Sequence, residues 1–452
     1  MKFWEGGAPL SLILIATLLS LAAVLRRVIP GMNRMKIPDS MIAGLLGLAL
    51  GPSVLGWLPI NQDVLEKVVY HGLAVLFIAV SLQSPKGGEN SAAGVKSMAF
   101  GIPMMAVLQG IIGILLVLIW SASVELIHPG VGLMLPLGFS QGPGQALAMG
   151  SAWEELGMVD GGQLGLIMAA MGFLWCVVVG VPLVGLARRR GWLVDVDGEA
   201  IHADDETRKV SAPGGLEPLT GQIAAVAVVY LGAWGLIQLS TAAVGDNAQA
   251  VATLYGFHFI IGALLAIAAR KILHKVGQDE LLDTPLLARI SALTVDLVTV
   301  SAIAAVQIAV VKDWWFVVLL FTGVGGGVTM VVCLWVARRA FPEASFEHAL
   351  VLFGAATGTL ATGLALLRIL DPELRGPVPT SAVLGAAAAL PLSAPLLIVL
   401  QIPAAGWPGS YPDRTLMALG ALVIYIIALA VGWRLVGGFR LHKPIASFWP
   451  SR

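Results

Sequence analysis

Leu137-Gly-Phe-Ser-Gln-Gly-Pro-Gly-Gln-Ala146 is the stretch on which the reading of this chain turns. It lies in an apolar segment at about 131–151 that is too short and too interrupted for a full membrane span. Gly142 and Gly144 permit a tight break, and Pro143 prevents a continuous helix. Ser140, Gln141 and Gln145 set neutral donors and acceptors at that break. A second segment of the same character, at about 348–367, offers Thr357, Gly358, Thr359, Thr362 and Gly363. Unpaired backbone groups at membrane depth are costly unless something polar meets them, so each segment reads as a re-entrant or broken helix with its tip buried. A bound solute or a cation could supply that partner. The plainer alternative is a pair of helix contacts made by small residues, with hydroxyls bonded back to their own helix.

The rest of the chain supplies the membrane. Of 452 residues, 58% are hydrophobic and only 12% charged, too few charges to cover a soluble protein of this length. Lys+Arg and Asp+Glu balance at 27 each, which excludes a strongly basic nucleic-acid-binding face. The 53 glycines suit closely packed and broken membrane helices. Cys176 and Cys333 both sit in apolar runs and read as small buried hydrophobes; two thiols make no metal site. The first apolar run lacks a convincing small-residue cleavage site and reads as a retained span. There is no Gly-x-x-x-x-Gly-Lys-Ser/Thr, no His-Glu-x-x-His and no Gly-x-Ser-x-Gly. The chain therefore reads as a non-enzyme, without a cofactor and not driven by ATP.

Runs of about 20 apolar residues fall at about 8–25, 37–57, 64–84, 97–120, 160–187, 218–241, 250–269, 289–311, 314–337, 379–400 and 413–434. That predicts eleven spans with an extracytoplasmic N-terminus and a cytoplasmic C-terminus. The inner loops then collect Arg26, Arg27, Arg34, Lys36, Lys86, Arg188, Arg189, Arg190, Arg208, Lys209, Arg270, Lys271, Lys275, Arg338, Arg339, Arg368 and Lys443, among others. The outer side keeps Lys2, Lys67, Lys312 and Arg414, as the positive-inside rule requires. This balance holds only if neither glycine-rich segment crosses.

A polar linker at 188–217 divides the chain into halves, 1–187 and 218–400. Each half has five spans and one re-entrant segment, so the second is inverted relative to the first; 401–452 adds the eleventh span and a cytoplasmic tail. Met41-Ile-Ala-Gly-Leu-Leu-Gly-Leu-Ala-Leu-Gly51 aligns with Phe259-Ile-Ile-Gly-Ala-Leu-Leu-Ala-Ile-Ala-Ala269, and Phe139-Ser-Gln-Gly-Pro-Gly144 with Phe353-Gly-Ala-Ala-Thr-Gly358. Inverted repeats with interrupted segments at matching positions are the signature of a secondary transporter.

Asp296 is the clearest ionisable residue inside an apolar run, Leu293-Thr-Val-Asp-Leu-Val-Thr299. Intramembrane carboxylates are expensive and point to a cation ligand or proton carrier. With Thr362 and Gly363 it forms the expected ion-coupling set. The substrate-binding set is Ser140, Gln141, Gly142, Gly144, Gln145, Thr357, Gly358 and Thr359. Gln83, Gln109 and Gln307 read as interhelix hydrogen-bonding residues, and His71 and His258 as interfacial ones.

Several segments together resemble the bacterial sodium/glutamate symporter family: Ile37-Pro-Asp-Ser-Met-Ile-Ala-Gly-Leu-Leu46, Ala74-Val-Leu-Phe-Ile-Ala-Val-Ser-Leu82, the glycine loop leading through Ala152-Trp153, and Ala349 to Gly363. The resemblance in layout covers about 1–400. It implies an inner-membrane homodimer of inverted five-span repeats that couples Na⁺ entry to uptake of glutamate or a related small carboxylate. Two other readings stand beside it. One is a proton-coupled carrier or exporter using Asp296, and the other a channel-like or sensory membrane protein.

Overall fold

The computed structural model describes residues 7–29, 37–83, 92–193, 217–245, 247–341, 343–371 and 377–436. Every element among them is helical. The first half holds α1 (Ala8–Val28), α2 (Asp39–Leu50), α3 (Gln62–Leu82), α4 (Ala92–Ser123), α5 (Gly130–Pro136), α6 (Pro143–Glu154) and α7 (Gly161–Arg190). The second holds α8 (Pro218–Val244), α9 (Ala248–Gly256), α10 (His258–Lys275), α11 (Thr284–Ala304), α12 (Ile308–Ala340), α13 (Ser345–Ala356), α14 (Leu360–Leu367) and α15 (Val378–Val399). The chain closes on α16 (Asp413–Leu435).

Nine helices among the described residues are long and apolar enough to cross a membrane: α1, α3, α4, α7, α8, α11, α12, α15 and α16. The expected eleven included two that fall short. The run at 37–57 forms only the 12-residue α2, because Pro38 caps its start and Gly51-Pro52 ends it. At a rise of about 1.5 Å per residue it reaches roughly 18 Å, well under the hydrocarbon thickness. The run at 250–269 is broken at Gly256–Phe257 into α9 and α10. The turn expected near 312 lies instead at 305–307, so Lys312 and Asp313 fall inside α12. That turn is held by the Gln163 side chain, whose Oε1 accepts the Gln307 N–H at 3.0 Å. Arg188, Arg189 and Arg190, expected in the linker, complete the last turn of α7. Most of the linker, the C-terminal tail, and Arg34, Lys36, Lys86, Arg208, Lys209 and Lys443 lie outside the described residues.

Cationic helix ends gather at one end of the bundle. Arg26 and Arg27 of α1, Arg188–Arg190 of α7, Lys275 of α10, Arg338 and Arg339 of α12 and Arg434 of α16 all lie in last turns, where positive charge complements the helix dipole. Cross-helix bonds tie this end together. Arg188 donates to the Ile369 carbonyl at 2.6 Å, Arg270 to that of Ser81 at 3.0 Å, and the Ser97 hydroxyl to that of Ala340 at 2.9 Å. At the opposite end Trp153 donates to Gln401 at 2.9 Å and Trp314 to Asp160 at 3.2 Å. Among the described residues that end carries only Lys67, Lys312 and Arg414 as fixed cations.

Packing across the halves is reciprocal. The long helices α3 and α11 lie along each other, α2 lies on α11, and α10 lies on α3. Small residues allow this: Gly44 and Gly47 of α2 rest on Ile303 and Ala304, and Gly72 of α3 rests on Val298. The helix α4 packs on both α12 and α15.

Two short hairpins hang from the long helices. From its start, α5 runs back along α4 so closely that a Cβ on Gly113 would fall 1.9 Å from the Gly132 carbonyl oxygen. The chain then turns, and α6 brings Trp153 back against Gly130, where the excursion began. The second hairpin closes in the same way: Gly354 of α13 abuts Gly363 of α14.

Candidate functional site

The first break follows from three local constraints. A π-helical turn, Leu137–Gln141, widens the end of α5. Gly142 then takes φ 89° and ψ 171°, a conformation closed to L side chains. Pro143 occupies the first position of α6, where a missing N–H costs nothing. No side chain caps α6, so its first-turn N–H groups and the positive end of its dipole face forward from the break. A Cβ on Gly142 would meet nothing within 4 Å, so the break borders open space, whereas Gly144 rests on Leu73 of α3. Gln145 is 2% exposed and its Oε1 has no hydrogen-bond partner.

The second break is built differently. Thr359 caps α14 and forms a reciprocal capping box with Thr362. The Thr362 hydroxyl also lies 2.9 Å from the Gly354 carbonyl oxygen, and the Thr357 hydroxyl donates to Phe353 at 2.8 Å. These three hydroxyls are thus engaged within their own hairpin, and Gly358 rests on Phe173 of α7. What this break turns outward is backbone: the Ala356 and Thr357 carbonyls.

The Ala356 carbonyl meets the first break through a residue of α4. Gln109 is fully buried. Its Nε2 donates to the Ala356 carbonyl at 2.7 Å and to the Thr329 hydroxyl of α12 at 3.1 Å, while its Oε1 accepts from the Ser140 hydroxyl at 2.6 Å. The amide orientation is fixed, because a flip would set Oε1 against the Ala356 oxygen. Ser140 also lies 3.3 Å from that oxygen, 216 residues away in sequence. A Cβ on Gly172 of α7 would fall 2.5 Å from the Thr357 carbonyl oxygen. Cys176, one turn further on, brings its buried thiol within hydrogen-bonding reach of the Thr357 and Thr362 hydroxyls. The structure therefore joins Ser140 to the second hairpin, with Gln141 and Gly142 next in line. Thr329 and Cys176 are constituents that sequence reading missed. Nothing in their local sequence separates them from packing residues.

Asp296 stands apart. It lies level with the middle of α3, since its neighbours Thr294 and Val298 rest on Gly72, but its own side chain is exposed. Among the described residues no hydrogen bond or ion pair joins it to either break. Gln83 does bridge helices, reaching the Ser291 hydroxyl at 3.2 Å. His258, expected at an interface, is 2% exposed. No group of three or more His, Cys, Asp or Glu among the described residues is placed to hold a metal ion. Comparison with protein-family models, with curated proteins and with solved structures finds no match to this chain.

Proposed function

We propose that the chain is a secondary active transporter that couples Na⁺ entry to uptake of glutamate or a related small carboxylate across a bacterial inner membrane. The observation that carries this reading is the junction of two helix breaks from opposite halves through Ser140, Gln109 and Ala356. Two interrupted hairpins meeting inside a helical bundle are the arrangement in which carriers hold solute and coupling ion. The uncapped N-terminus of α6 suits a carboxylate, and the Ala356 and Thr357 carbonyls supply oxygens of the kind Na⁺ takes.

The reciprocal placement of α2 on α11 and α10 on α3 supports two inverted halves, with each hairpin re-entering from the end where it began. In this reading α2 and the α9–α10 pair are matching interrupted spans. The cationic end is cytoplasmic, which sets the N-terminus outside and the C-terminus inside. The carrier works as a homodimer, and Asp296 is its coupling carboxylate, with Thr362 and Gly363 shaping the cation site.

The test is uptake into proteoliposomes under imposed Na⁺ or H⁺ gradients. Glutamate accumulation driven by Na⁺ is expected. Accumulation driven by H⁺ alone would favour the proton-coupled reading, and no accumulation of any carboxylate would overturn the carrier. Asp296→Asn should abolish ion-driven uptake with the protein still folded. Unchanged cation dependence in that variant removes Asp296 from the site.

A further inference from the structure

His258 opens α10 immediately after the break at Gly256–Phe257. Both of its ring nitrogens face carbonyl oxygens: Nδ1 lies 2.9 Å from that of Tyr255 and Nε2 2.9 Å from that of Tyr70. A carbonyl oxygen only accepts. A neutral imidazole has one N–H and one lone pair, so it satisfies one contact and opposes lone pair to lone pair at the other. The imidazolium donates to both. His348 provides the contrast: its Nδ1 faces the Ala344 carbonyl at 3.0 Å, but its Nε2 faces the Ser381 hydroxyl at 2.7 Å, which can donate. A neutral tautomer satisfies His348 when the Ser381 hydroxyl turns its hydrogen from the Val378 carbonyl, 2.9 Å away, to Nε2.

The surroundings of His258 favour a cation in one further way. Its ring stacks on Tyr70 with centroids 3.8 Å apart and planes at 13°, which sets the charge over a π face. The titratable groups about it are Tyr70 and His71 of α3 and Tyr255 of α9. Tyr230 of α8 bonds His71, and Lys67 lies near His71. None of these is a carboxylate, so nothing anionic offsets burial, and a charged His71 opposes the cation as well. The site also borders the first hairpin, because Gly256 rests on Met149 and Ala152 of α6.

We propose that His258 is a proton-binding site. A proton from water adds to the ring-nitrogen lone pair, and the imidazolium then ties the Tyr70 and Tyr255 carbonyls together, reinforcing the Tyr70 hydroxyl, which donates to the Tyr255 carbonyl at 2.7 Å, in fastening the α9–α10 break to α3 beside α6. Loss of the proton removes one of the two ties. The inference does not rest on the carrier reading, and its test involves no transport.

The protein labelled with ¹⁵N-histidine is placed in lipid nanodiscs, and its histidine side-chain nitrogens are followed by NMR against pH. The signal lost in His258→Gln is that of His258. Should that variant misfold, the spectra of H71Q, H128Q, H202Q, H274Q, H348Q and H442Q assign the signal by elimination. Burial and a charged His71 oppose the proton, so both ring nitrogens of His258 are expected to be protonated only as the pH falls to about 4, below the ordinary histidine value of about 6.5. A ring that keeps one protonated nitrogen at about pH 4 in the folded protein overturns the proposal. That outcome would leave the uptake measurements untouched.

Discussion

The Ser140 hydroxyl and the Ala356 carbonyl lie 3.3 Å apart, and the Gln109 amide bonds to both. Ser140 lies in the π turn before the first break, and Ala356 is the last residue of α13 before the second. The two hairpins are therefore held in one hydrogen-bonded unit whose hub sits on α4.

Removing that hub should uncouple them. Gln109→Leu leaves the Ser140 hydroxyl and the Ala356 carbonyl only their own 3.3 Å contact and takes the amide from the buried Thr329 hydroxyl, a loss of about 1–3 kcal/mol if no water replaces it. Gln109→Glu should be at least as damaging, since a carboxylate cannot donate to the Ala356 oxygen. Thermal unfolding in detergent, read beside proteoliposome uptake, checks this. Wild-type stability in both variants would show that the hub contributes nothing.

The two glycines of the first break should fail for different reasons. Gly142→Ala has room for its Cβ but must hold φ 89°, a backbone strain of about 1–2 kcal/mol. Gly144→Val instead drives atoms into Leu73, where a Cβ alone would lie 2.9 Å away. We expect Gly142→Ala to insert and fold with lowered stability, and a compensating Leu73→Ala to rescue Gly144→Val but not Gly142→Ala. Size-exclusion profiles and unfolding midpoints of the double variants decide the matter.

Cys176 is a native reporter of the junction. In a Cys333→Ala background it is the sole thiol, and it is 2% exposed beside Thr357 and Thr362. A small maleimide should reach it only when the hairpins part. Glutamate with Na⁺, at about ten times its Kd, should then slow labelling about tenfold. A rate indifferent to both would place the solute elsewhere.

Acid should weaken the end that carries Lys67, through His128. This residue of the α4–α5 loop accepts the Gly130 N–H at 3.0 Å, packs edge-on to Trp407, and is pushed down to about 4 by burial. Its unfolded form takes a proton near 6.5, and the folded form resists until about 4. Stability is thus complete above 6.5 and falls as the pH drops toward 4, by at most about 3 kcal/mol. Unfolding midpoints between about pH 7.5 and 4.5 should show this slope, and His128→Gln should flatten it. An equal slope in the variant would assign the loss to other groups.

The chain's own composition determined more of this protein than is usual for a soluble fold. Hydrocarbon leaves a backbone few options, so long apolar runs became helices, and the glycine and proline at Gly142–Pro143 became a break. Cation placement was legible for the same reason, since charge is expensive anywhere but at helix ends. Tertiary structure decided the rest. The run at 37–57 is as apolar as its neighbours, yet it ends at Leu50, and the run at 250–269 is divided before His258. Hydropathy averages over the length at which such interruptions act. The use of each polar side chain was also out of reach. Thr357, Thr359 and Thr362 turn inward to cap and brace their own hairpin, while Gln109, Thr329 and Cys176 come from three separate helices to surround it. A hydrogen bond acts over about 3 Å in space, and no spacing along the sequence records that Ser140 and Ala356 would come within that reach.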